Sequence, residues 1–153
     1  MKLEIADRIA LSELVDRYAA LVDDGDFSGA ADLFTEDAVL RQPRPPHSLE
    51  PTDEVCGREA LVHNFGQLRA LRATQHAVVG RLFGADADDR ATGRIACIAH
   101  HVSGDATLVD HAWHLTYLDR YRRVEGRWVI AERTLRLHWI ERRPVSVPRS
   151  PTQ

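Results

Sequence analysis

The stretch TLVDHAWHLTYLDRYRRVEGRWVIAERTLRLHWI, residues 107–140, decides the architecture. It reads as two long extended segments, Thr107–Val124 and Arg127–Ile140, on either side of the turn pair Glu125–Gly126. Both are rich in Val, Leu, Ile, Thr and aromatic residues, which suit a pleated, half-buried surface. Upstream, His76–Phe83 and Ala91–Ser103 have the same character. Turn chemistry separates them: Gly84 with Asp86, Asp88 and Asp89, then Ser103-Gly104-Asp105.

Toward the N-terminus the period changes. From Ile5 to Val22, Leu11, Leu14, Val15, Tyr18, Leu21 and Val22 fall on one helical stripe, and Gly25 ends the helix. Asp26 or Ser28 caps a second short helix reaching Phe34, Ala38–Arg41 reads as a short strand, and Gly57 opens a third helix from Arg58 to about Leu71. Helices followed by hairpin-connected strands define an α+β domain, with three N-terminal helices packed on one face of a curved antiparallel sheet. All seven prolines fall in two stretches. Pro43, Pro45, Pro46 and Pro51 make Gln42–Cys56 an expected loop, long enough for a lid; Pro144, Pro148 and Pro151 mark a tail. The expected organisation is one domain, residues 1–143, and a proline-rich tail, residues 144–153.

The 153 residues suffice for one core without staples. The net charge of −3 comes from 20 basic and 23 acidic groups, with no basic concentration that would advertise a nucleic-acid partner. No window approaches the ~20 apolar residues of a membrane span, and the opening MKLEIADRIA has no apolar leader core. Cys56 and Cys97 lack CxxC spacing and read as inert thiols in a cytoplasmic protein. His111 and His114 in HAWH point to opposite sheet faces, and no HExxH or other metal-ligand spacing occurs. No Gly-rich phosphate loop or GxSxG elbow is present. Neither a metal nor a cofactor is therefore expected.

Five residues stand out. Tyr18 lies on the apolar stripe of the first helix. Asp23 follows near its C-terminus, where a carboxylate opposes the helix dipole and needs a hydrogen-bonding partner if it turns inward; a solvated acid is the alternative. His76 opens the first long strand. His100 and His101 point to opposite faces, and His101, sharing its face with Ile95, Cys97 and Ala99, is the expected inward one. Arg133 shares a face with Val129, Ala131, Leu135 and Leu137, where a guanidinium needs a pair or an anion; otherwise it points outward.

The runs ELVDRYAALVDDGDFSGAADLFTEDAVL, GREALVHNF, ATQHAVVGRLF and YRRVEGRWVIAERTLRLHW together resemble the SnoaL-like group of the nuclear transport factor 2-like superfamily, from about Ile5 to Ile140. The resemblance implies a cone-shaped barrel: a bent antiparallel sheet around an apolar cavity, closed by helices. The group is similar to scytalone dehydratase, bile-acid dehydratase and hexachlorocyclohexane dehydrochlorinase, which set an Asp at the end of the first helix against a His on the first long strand. Asp23 and His76 occupy those places. Tyr18 matches a tyrosine of the bile-acid enzyme, His101 a second histidine of scytalone dehydratase, and Arg133 a pocket arginine of the dehydrochlorinase. Tyr117 departs from an asparagine in scytalone dehydratase, and Tyr18 stands where the dehydrochlorinase has a lysine, so substrate identity does not carry over.

The implied chemistry is cofactor-independent elimination on a small apolar or aromatic metabolite: Asp23 orients His76, His76 removes a proton from carbon, Tyr18 or His101 protonates the leaving group, and Arg133 stabilises negative charge. An isomerase, cyclase or epoxide-type hydrolase in the same cavity is one alternative; a second carboxylate beside Arg133 would favour the hydrolase, and Asp110 and Asp119, both able to point outward, are the strand candidates. A non-catalytic binding or assembly module is the other. Trp113, Tyr117, Tyr121, Trp128 and Trp139 exceed what three short helices can cover on one sheet face, so back-to-back packing into a homodimer or homotrimer is expected.

Overall fold

The computed structural model describes residues 2–146. Helix α1 (Ile5–Asp23) buries Leu11, Leu14, Val15, Tyr18, Ala19 and Val22, the stripe read from its periodicity with Leu21 only partly covered. Gly25 leaves it through a positive φ of 76°. Asp26 then caps α2 (Phe27–Asp32), its carboxylate accepting from the Gly29 N–H at 2.9 Å. Phe34, expected at the end of that helix, instead begins β1 (Phe34–Arg44), which turns into β2 (Ser48–Cys56). After Gly57 comes α3 (Arg58–Gly66), whose last turn tightens into a 3₁₀ segment, Gln67–Ala70. Four long strands follow: β3 (Ala73–Ala87), β4 (Arg90–Ser103), β5 (Leu108–Val124) and β6 (Arg127–Val145). The last runs through Pro144; residues 147–153 of the expected tail lie outside the described residues.

The six strands form one open sheet in the order β2-β1-β6-β5-β4-β3. All pairings are antiparallel except β1 with β6, which run parallel, so the sheet is mixed and does not close as a barrel. Register shifts at Val78/Gly80 and Ala85/Ala87 in β3 and at His114/Leu115 and Arg120/Tyr121 in β5 bend it around the helices.

The expected loop Gln42–Cys56 is therefore a hairpin arm. Its prolines are tolerated because they avoid ladder positions: β2 is an edge strand, the β1–β2 register breaks between Gln42 and Arg44, and β1 leaves β6 after Arg41. The aromatic surplus also resolves inside the molecule. Tyr117, Tyr121 and Trp128 are buried and Trp113 is partly so, leaving Trp139 as the one broadly exposed ring of the five. The sheet curls around its aromatics, and the aromatic argument for assembly shrinks to a single side chain.

At the other sheet edge, α1 covers β3. Arg81 of β3 pairs with Asp16, and Arg8 reaches the Phe83 carbonyl at 3.4 Å. Near the N-terminus of α1, Asp7 accepts from Arg123 at 2.5 Å and from the Trp128 indole at 3.0 Å, tying the helix to the β5–β6 turn.

Gly93 of β4 makes room for Tyr121. A Cβ there would lie 2.7 Å from the Tyr121 ring, whereas one at Gly80 would meet only the Ala96 methyl at 3.8 Å. Gly93→Ala is expected to cost about 1–3 kcal/mol in chemical denaturation through overpacking, and Gly80→Ala to cost much less.

Candidate active site

The hollow of the sheet holds a cavity of about 1370 Å³, above the roughly 300–1,000 Å³ usual for small-molecule sites. Its floor includes Tyr18, His76, His101, Trp113, Leu115 and Tyr117, so the inner wall is mostly aromatic, with two imidazoles and two phenols among its polar groups. The β1–β2 arm and α3 form the mouth. There Gln42 and Asn64 exchange amide hydrogen bonds at 2.9 and 3.2 Å, joining strand to helix.

Asp23 brings α1 to the start of β3. Its Oδ1 lies 2.7 Å from His76 Nδ1 and accepts from the Thr74 hydroxyl at 3.1 Å; its Oδ2 accepts from the His76 backbone N–H at 2.7 Å. The partner that a helix-terminal carboxylate needs is thus an edge strand with an unpaired N–H. Burial acts to raise the Asp23 carboxyl, but the His76 side chain and backbone and the Thr74 hydroxyl together hold it below the usual carboxylate range. A carboxylate facing Nδ1 selects the tautomer with the proton on that nitrogen and leaves the Nε2 lone pair as the basic one.

His101 is the inward histidine of its pair. Its ring meets His76 edge-on at 6.0 Å and Trp113 at 4.9 Å. Burial, aided by repulsion from His76, pushes its pKa down to about 4, so the imidazole is neutral at neutral pH. Tyr18 packs its ring against Phe34, Phe65 and Tyr117 and stands 6.4 Å from His76. Burial raises its phenol above the ordinary value while Arg133 opposes that rise, so the group keeps its proton at neutral pH.

Arg133 points inward but does not face the cavity. It is fully buried, donating to Asp119 through Nε at 2.8 Å and Nη2 at 2.7 Å, with its guanidinium 4.3 Å from the Tyr18 ring centre and 4.2 Å from that of Tyr117. The guanidinium spends Nε and Nη2 on Asp119, its Nη1 is buried without a hydrogen-bond partner among the described residues, and it does not line the cavity, where the expectation had it meeting negative charge. Asp119 is inward and sealed as well, not outward; it also accepts from the Tyr121 hydroxyl at 2.7 Å. Asp110, the other carboxylate expected to reach solvent, is 3% exposed beneath His100, whose Nδ1 lies 2.7 Å away on the opposite sheet face from His101. Beyond it His114 stacks on Trp139 at 4.4 Å.

Two contributors, Thr74 and Gln42, escaped the sequence reading, and Asp119 was named there but as able to point outward. Thr74 shares the face of His76 by strand alternation, and Asp119 that of Tyr117 and Tyr121; period two alone would have turned both inward. Gln42 was hidden by its surrounding prolines. Cys56 is exposed, and Cys97 is a buried thiol raised to about 12 by desolvation. Among the described residues no three His, Cys, Asp or Glu side chains converge as a metal-binding group, and no helix is long and apolar enough to cross a membrane.

The fold recurs among known proteins. The SnoaL-like domain matches residues 3–134, and the chain belongs to that family within the nuclear transport factor 2-like superfamily. No curated protein matches it in sequence. Among solved structures, a Mycobacterium tuberculosis protein of unknown function is 27% identical, over 88% of this chain and 78% of that one, with a TM-score of 0.71. A scytalone dehydratase-like protein from Novosphingobium aromaticivorans aligns over 90% and 87% at 20% identity and a TM-score of 0.76. A hexachlorocyclohexane dehydrochlorinase, LinA type 2, aligns over 96% and 95% at 15% identity and a TM-score of 0.75. At these last two identities the likeness is one of fold.

Two outcomes follow from the buried groups. Asp119→Ala strands the Arg133 charge and is expected to cost on the order of 3–5 kcal/mol, whereas the joint change Arg133→Met with Asp119→Leu recovers most of that loss in chemical denaturation. His101 has a folded-state pKa near 4 against 6.5 for a free histidine, so between these values the unfolded chain binds more protons and stability falls as pH drops through that window. In denaturant titrations at pH 6.5, 5.5 and 4.5, His101→Gln is expected to lose less stability across the series than the unsubstituted protein.

Proposed function

We propose that the protein is a cofactor-independent lyase that eliminates water from a small apolar or aromatic metabolite, with Asp23 and His76 as its proton-abstracting pair. The observation that carries this reading is the 2.7 Å contact between Asp23 Oδ1 and His76 Nδ1, which sets His76 in the aromatic wall of a large cavity. Family membership, with dehydratase and dehydrochlorinase structures among the fold's relatives, supports the same class.

In this mechanism His76 Nε2 takes a proton from a carbon made acidic by an adjacent carbonyl. The C–H electron pair becomes the new C=C bond, and the β-hydroxyl leaves with the C–O pair. Tyr18 protonates the departing hydroxyl as water; the proton held on His76 then returns to the phenolate through solvent. Tyr18 takes the acid role over His101 because the phenol holds a transferable proton beside a buried cation, while an imidazole depressed to about 4 is not an imidazolium at neutral pH. Asp23 stabilises the imidazolium that His76 becomes. Arg133 contributes from behind the wall, fixing and polarising the Tyr18 and Tyr117 rings.

The hydrolase alternative needs a carboxylate able to activate water. Asp119 lies beside Arg133, but both its oxygens are committed to Arg133 and Tyr121 and neither residue has any exposed side-chain surface. A pure binding module has no need of a base with a fixed tautomer on its cavity wall.

The test is a panel of aryl β-hydroxy ketones, followed by the rise of conjugated-enone absorbance. Turnover of any of them is expected to fall by about 10²–10⁴-fold in His76→Ala. A comparable fall is expected in Asp23→Asn, whose amide N–H would face Nδ1 and invert the tautomer. Survival of turnover in both variants sinks the assignment.

A further inference from the structure

Asp23 accepts three hydrogen bonds, and only two come from His76. The third is the Thr74 hydroxyl, 3.1 Å from the same Oδ1 that meets the imidazole. Thr74 and His76 are i and i+2 on β3 and project from one face, so the strand presents a hydroxyl and an imidazole side by side to a single carboxylate oxygen. Oδ2 is anchored separately by the His76 backbone N–H. The carboxylate is thereby held at both oxygens in the plane that serves Nδ1.

We propose that Thr74 is a positioning residue of the Asp23–His76 pair: its hydroxyl holds Asp23 Oδ1 in line with His76 Nδ1 and takes up part of the carboxylate's charge. The proposal rests on the proposed role of that pair, but its consequences are physical and do not need a substrate. Without the hydroxyl, Oδ1 has one partner, a ring that can rotate. The carboxylate then swings about its remaining bond to the backbone, and His76 samples both neutral tautomers. The charge on Asp23 also loses a donor, so its carboxyl moves up toward the ordinary range, in keeping with the depression to which Thr74 contributes.

The other groups facing this carboxylate are few. From α1 comes the sequence neighbour Asp24; from β4 come Cys97, a neutral buried thiol, and His101, cross-strand partner of Thr74 and neutral at neutral pH. None of them donates to Asp23 among the described residues, so Thr74 is the one side chain outside the pair able to set its charge.

The experiment uses the full-length protein without ligand. Imidazole ¹⁵N shifts of His76 report the tautomer, and the Asp23 side-chain carboxyl ¹³C shift reports its titration. Thr74→Val, nearly isosteric, is expected to mix the His76 tautomers and to raise the Asp23 midpoint by about half a unit to one unit, the equivalent of one neutral hydrogen bond. Thr74→Ser, which keeps the hydroxyl, is expected to match the unsubstituted protein in both readouts; should the valine variant fail to fold, Thr74→Ala takes its place. A residue that merely caps the sheet edge would lower the melting temperature and leave both signals unchanged, and that result overturns the proposal. If the signals shift as expected while His76→Ala still turns over a β-hydroxy ketone, the positioning role stands and the lyase reading falls.

Discussion

Everything in the site follows from one contact between a helix that ends badly and a strand that begins bare. A carboxylate in the last turn of α1 sits at the negative end of the helix dipole, and the edge strand β3 turns unpaired backbone groups away from the sheet. Asp23 answers both needs at once, accepting the His76 N–H with one oxygen and the His76 ring and Thr74 hydroxyl with the other. The same contact blocks the sheet edge against intermolecular pairing and fixes an imidazole in the cavity wall. One side chain thus meets the needs of both helix end and sheet edge.

Behind that wall lies a second device of a different kind. Arg133 and Asp119 form a fully buried ion pair, completed by Tyr121 and enclosed by the faces of Tyr18 and Tyr117. Burying two charges is expensive even when they meet, and an apolar pair of similar volume would often be at least as stable. What the ion pair supplies is direction: a planar cation seated between two phenol rings fixes the rings that floor the cavity. Gly93 belongs to the same arrangement, since no other residue leaves space for Tyr121 to reach Asp119.

The cavity itself is a product of sheet curvature. Register breaks in β3 and β5 bend the strands, and the β1–β2 arm adds a wall whose prolines occupy an edge strand and a break in the ladder. The parallel contact of β1 with β6 carries that arm beside Arg133. The Gln42–Asn64 link then joins the arm to α3 at the mouth. The hollow stays open at its rim while its floor is lined by aromatic rings, among them the protonated phenol of Tyr18 and the neutral imidazole of His101.

Much of this was readable from residue order. Helical spacing in residues 5–22 and β-rich runs after His76 specify the elements, because periodicity reports which face of each element meets the core. Turn residues specify where they end, because positive φ and capping are local demands. Asp23, His76, Tyr18 and His101 were visible as candidates, but their grouping into one site came from the family resemblance and not from any local pattern. What residue order could not supply was pairing. That Arg133 would spend its charge on Asp119 instead of facing the cavity, that proline-rich residues 42–56 would form a hairpin, and that four of five sheet aromatics would turn inward all depend on which strand lies beside which and how far the sheet curls. Those are long-range contacts, decided by the balance of burial and charge over the whole chain, and no local pattern encodes them.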